Sequence, residues 1–159
     1  MGGIYPQSTL FSEFNFNCGM GLMDTELYEC EGSARTSVQL MPPETKLVFL
    51  GFEAGLQVMS GGALTSCASE DNPCRRAYIT YCGEGNNRSS WDPMTLVAAV
   101  RGAAGISCQE TGNDGRNEVE YDGNNFWLEE AVGGSNQTYL LLNDGEAAGQ
   151  LLDSLLCMT

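Results

Sequence analysis

The chain contains no histidine. Imidazole is therefore not on hand as a proton shuttle, a metal ligand or the base of a nucleophilic triad, and any acid-base chemistry has to rest on carboxylates. Two of the acids stand beside other groups able to bind or react: Glu13 in Glu13-Phe14-Asn15, and Asp92 in Arg88-Ser89-Ser90-Trp91-Asp92-Pro93. Two carboxylates, one as acid and the other as base or nucleophile, are what glycoside hydrolysis employs. Each also has a plainer use. Glu13-Phe14-Asn15 suits a surface strand or loop. Asp92 suits a helix N-cap with Pro93 as first helical residue, where proline's missing N–H is not needed. The two roles of Asp92 are compatible, because a capping carboxylate can face a site.

The groups around these candidates narrow the chemistry further. Seven cysteines occur without any C-x-x-C pair, which gives no support to a zinc or redox motif and makes small buried thiols the expectation. An odd count leaves at least one thiol free if disulfides form. Twenty-one acids against seven bases give a formal net charge of −14, which repels phosphate backbones and anionic lipid, so nucleic acid and membranes are excluded as partners. A divalent cation is permitted by that charge. No run approaches the ~20 apolar residues of a membrane span, and the opening residues carry no signal-peptide pattern. Two sequons, Asn87-Arg88-Ser89 and Asn136-Gln137-Thr138, hint at secretion, but no compartment is assigned.

The elements that must position these residues follow from periodicity and punctuation. Ser33 to Met41 predicts a helix stopped by Pro42-Pro43. Leu47-Val48-Phe49-Leu50 is continuously apolar, which predicts a strand covered on both faces and central in a parallel sheet. Asn72-Pro73 to Cys82 and Asp92-Pro93 to Arg101 have well-formed helix starts. The stretch from Glu118 to Glu130, turning at Asp122-Gly123, predicts a β-hairpin. A strand over Asn136 to Asn143 and an amphipathic helix over Gly145 to Cys157, with Ala148, Leu151, Leu152, Leu155 and Leu156 on one face, close the chain. The sum is an α/β layout with a hairpin, one domain over residues 1–159.

Three segments taken in order resemble the inosine/uridine-preferring nucleoside hydrolase family. They are Met1-Gly2-Gly3-Ile4-Tyr5-Pro6 leading to Glu13-Phe14-Asn15-Phe16; Leu47-Val48-Phe49-Leu50-Gly51-Phe52-Glu53 with Gly55, Gln57-Val58 and Gly61; and Arg88-Ser89-Ser90-Trp91-Asp92-Pro93 with Val100-Arg101-Gly102. The resemblance covers nearly all of this chain but only the C-terminal half of the family's domain. It implies an open, mostly parallel sheet with flanking helices and a hairpin, and hydrolysis of the N-glycosidic bond of a ribonucleoside to ribose and base. By resemblance Asp92 is the catalytic and calcium-ligating residue, while Glu13 and Asn15 bind the ribose. Trp91 stands where many members place a histidine; an indole cannot shuttle a proton but can stack on the base. Tyr78 and Tyr81 are expected to serve packing.

The family's Asp-x-Asp-x-x-x-Asp-Asp motif is not found here, since the remaining aspartates are scattered. Calcium wants roughly six to eight oxygens, so Ca2+ is expected only together with an upstream half bearing that motif. The expectation is accordingly a hydrolase in the complete protein, with this chain alone inactive and poorly stable. The alternative is a non-catalytic acidic module that binds sugar or nucleoside. Expected partners are the ribonucleoside and either the missing half or a second copy of the chain.

Overall fold

The computed structural model describes residues 33–121, 125–130 and 135–158. The chain divides into two compact units, residues 1–53 with 110–141, and residues 54–109 with 142–159. Helices and strands are interspersed throughout, as the α/β expectation requires.

In the first unit, helix α1 (Ser33–Gln39) ends before the Pro42-Pro43 pair and strand β1 (Leu47–Leu50) follows. β1 pairs in parallel with β7 (Gln137–Leu142), Leu47 opposite Gln137 and Leu50 opposite Leu140. The strand order is β1-β7-β4, with β4 spanning Cys108–Thr111. Among the described residues β1 is therefore an edge strand, and β7 takes the central place expected of β1. The expected cover on both faces is nonetheless present, with Leu47 and Phe49 buried on one face and Leu50 on the other, and on the first face a tryptophan supplies it. That tryptophan, Trp127, comes from the expected hairpin, in which β5 (Arg116–Val119) runs antiparallel to β6 (Asn125–Leu128).

Burial alternates along both hairpin strands, placing Asn117, Val119, Asn125 and Trp127 inside. Trp127 meets Phe49 and Tyr139 edge-on, at centroid distances of 6.4 Å and 4.8 Å. Such pairs contribute about 0.5–1.5 kcal/mol each beyond area burial. Val38 and Met41 complete the cluster. At the sheet, Glu110 accepts a 2.7 Å hydrogen bond from the Thr138 hydroxyl and pairs with Lys46, which together hold its carboxyl below the usual range, the lysine contact contributing most.

The second unit is mainly helical. It contains the body of α2 (Phe52–Gln57), strand β2 (Met59–Ser60), α3 (Leu64–Cys67), α4 (Pro73–Cys82), β3 (Arg88–Ser89), α5 (Trp91–Arg101), a 3-10 turn (Ala103–Ile106) and α6 (Gly145–Leu156). The expected start of α4 is realised: Asn72 caps it, accepting from the Cys74 and Arg75 amides at 2.8 and 3.1 Å, with Pro73 in the first turn. Asp144 caps α6 through the Ala147 amide at 2.9 Å, and α6 buries Ala148, Gly149 and Leu152 while packing on β2. Val58, Leu64, Met94 and Ile106 are fully enclosed. The polar side chains buried with them are satisfied: Ser60 and Ser90 share a 2.7 Å hydroxyl contact, and Thr65 donates to the Gly62 carbonyl at 2.7 Å.

Buried thiols were expected, and Cys108 is one. Cys67 and Cys157 are instead joined in a disulfide with a Cα separation of 5.6 Å, across 90 residues of sequence. The pairing is mixed rather than mostly parallel: β2 and β3, like β5 and β6, run antiparallel. No helix among the described residues is long and apolar enough to cross a membrane.

Candidate functional site

Within the second unit the ends of α4 and β3 and the first turn of α5 line a cleft of about 510 Å3. This volume lies in the range of small-molecule sites, roughly 300–1,000 Å3. Trp91 and Asp92 both line it, together with Tyr78, Tyr81, Cys82 and Arg88. Glu13 and Asn15 lie outside the described residues.

The local geometry follows from Ser90. Its hydroxyl bonds inward to Ser60 at 2.7 Å and to the Arg88 carbonyl at 3.1 Å, and its amide donates to Gly55 at 3.0 Å. Ser90 takes the N-cap position without a side-chain cap bond, and helix α5 starts at Trp91. Asp92 is therefore not the cap, as the Asp-Pro signature implied. Placed one residue inside, it remains in the first turn, where unpaired amides and the helix dipole favour a carboxylate. Its side chain is exposed at the cleft.

Two glycines let the aromatic rings approach the backbone. A Cβ on Gly55 would lie 2.2 Å from Trp91 Cδ1, so the indole rests on that glycine while also lining the cleft. Packing and cleft-lining roles are combined in one ring. Gly61 has φ +99° and a Cβ there would fall 1.8 Å from the Tyr78 ring, so both backbone and contact require glycine. Burial chiefly raises the Tyr78 phenol above its ordinary range, against the lowering effects of a hydrogen bond with Ser60 and of Arg88.

Tyr81 departs from the packing role expected of it. It is 73% exposed, and the Arg88 guanidinium lies 4.5 Å from its ring centroid. A cation over an exposed ring is worth about 0.5–1 kcal/mol. Arg88 was not singled out from the sequence, which carries no periodic signal for a two-residue strand. The i, i+3 spacing of Tyr78 and Tyr81 was the available sign that both could face one surface.

The cleft offers three aromatic rings, one guanidinium and one carboxylate. It can stack a planar ring and exchange hydrogen bonds with a polar substituent. Among the described residues, Asp92 is the one acidic residue lining it, and no group of three or more Cys, Asp or Glu side chains able to hold a metal occurs. These residues alone do not supply a calcium shell. No family model, curated protein or solved structure matches the chain.

Proposed function

We propose that the chain binds a ribonucleoside in the Trp91 cleft, the base against the aromatic rings and the sugar hydroxyls toward Asp92. The observation that carries this is the convergence of Trp91 and Asp92 with Tyr78 and Tyr81 on one cleft of nucleoside-compatible size. The motif resemblance extends the proposal: in a protein also bearing an aspartate-rich segment, the site would serve N-glycosidic hydrolysis, with carboxylates gripping ribose hydroxyls as the ring becomes oxocarbenium-like. The single carboxylate of the cleft favours binding without turnover for the chain by itself.

Intrinsic fluorescence tests the binding. Trp127 is buried in the first unit and Trp91 lines the cleft, so inosine or uridine should quench emission in the native chain and in Trp127→Phe but not in Trp91→Phe. Stacking is worth about 1–3 kcal/mol per base, so Trp91→Ala should weaken binding about 5- to 150-fold. Absence of saturable quenching, or equal quenching with Trp91 removed, would dismiss the proposal. Ribose release assayed on the same samples separates binding from hydrolysis.

A further inference from the structure

The first unit holds a cavity of its own, about 330 Å3, with no lining residue from the second unit. Val38, Met41 and Leu47 provide apolar wall. Among the described residues, two donors in the same lining have no acceptor. Asn117 is only 5% exposed, yet its side-chain Nδ2 is unpartnered, although its backbone amide donates to Gln137 Oε1 at 2.8 Å. The Nε of Arg35, on α1, is likewise buried and unpartnered. Folded proteins rarely keep such donors without something to serve them.

Charge points the same way. The Lys and Arg side chains of this unit are Arg35, Lys46 and Arg116. Lys46 pairs with Glu110, and Arg116 with Glu118 at 3.0 Å. Arg35 has no ion-pair partner among the described residues. In a chain of net charge −14, a guanidinium left without a carboxylate beside a partly apolar cavity is a selective feature.

The geometry points to a binding site for a small organic carboxylate with an apolar body. The carboxylate accepts from Arg35 and Asn117, and the hydrocarbon lies against Val38, Met41 and Leu47. A monoanion fits better than a phosphate: Arg116 is already neutralised, and Glu118, which also lines the cavity, repels a second negative charge. The site is independent of the nucleoside proposal.

The test is a titration of the full chain with hexanoate, its neutral counterpart hexanamide and benzoate, followed by NMR of the asparagine side-chain amides and by calorimetry. Hexanoate should bind saturably, shift the Asn117 amide resonances and exceed hexanamide in affinity. Arg35→Met should weaken hexanoate about tenfold or more through loss of a charge-assisted bond, with thermal melting verifying the fold. Asn117→Leu serves as a second variant removing the other donor. Lack of saturable binding, equal affinity for hexanamide, or hexanoate affinity unchanged in a folded Arg35→Met protein would each overturn the assignment.

Discussion

Replacing Cys67 and Cys157 by serine removes a crosslink that closes a stretch of 90 residues and pins the end of α6 to the end of α3. Chain-entropy arguments for a loop of that length give about 4.6 kcal/mol of stabilisation through the unfolded state, whereas measured disulfides more commonly contribute about 2–4 kcal/mol. The double serine variant should therefore lose about 2–4 kcal/mol. Since small domains are commonly stable by only about 5–15 kcal/mol, this is a large share. Urea unfolding followed by far-UV circular dichroism measures it, with the denaturant slope recorded because a crosslinked unfolded chain exposes less surface. Intact-mass analysis with and without reductant establishes that the crosslink is present in the starting protein. A loss below about 1 kcal/mol with the bond demonstrably formed would refute the claim that loop closure stabilises this unit.

Gly61→Ala should destabilise the protein by about 1–3 kcal/mol and displace Tyr78, because the backbone at φ +99° and the ring contact both oppose a side chain; calorimetric melting and the tyrosine near-UV signal report it. The depressed ionisation of Glu110 means that its stabilisation is present above the unfolded carboxylate range and fades as pH falls through the folded value. Glu110→Gln should accordingly flatten the loss of melting temperature as pH falls below about 5. Leu96 and Val100 are 65% and 75% exposed one turn apart on α5, so concentrated protein should self-associate and L96K/V100K should reduce it, as read by light scattering. Asp92→Ala in a chain extended by an aspartate-rich segment should lower nucleoside turnover by orders of magnitude if the hydrolase proposal holds; unchanged ribose release would reduce Asp92 to a helix-terminal charge.

Local chemistry was legible where residue type and backbone geometry coincide. Asn72-Pro73 marked the start of α4 to the residue, and the Glu118–Glu130 pattern marked a hairpin whose first strand begins earlier, at Arg116, while the expected turn at Asp122-Gly123 lies outside the described residues. The place of β1 was not legible, since a run of Leu, Val and Phe reports that its faces are covered and not by which element. Trp127 does that covering from far along the chain. The start of α5 was misplaced because Asp-Pro is a strong capping signal, while the inward pull of Ser60 on Ser90 depends on a contact across 30 residues. Trp91 and Asp92, which line the cleft, were picked out by their order in a motif. Arg88 and the unserved donors of Asn117 and Arg35 were not, because having or lacking a partner is a property of three dimensions.

Cys82 lines the cleft with a free, partly accessible thiol, while Cys74 is exposed eight residues earlier on α4 and does not line it. Helical rise puts the two about 12 Å apart. Cys108 is buried, and loss of hydration pushes its thiol up to about 11, which keeps it unreactive at neutral pH. The cleft thus comes with an intrinsic covalent handle and a matched reference on the same helix. A maleimide footprint resolved by peptide mass spectrometry should show Cys82 shielded by an occupant and Cys74 not. Disulfide tethering of small fragments at Cys82 turns the same asymmetry into a means of finding what the cleft accepts, with no prior choice of ligand.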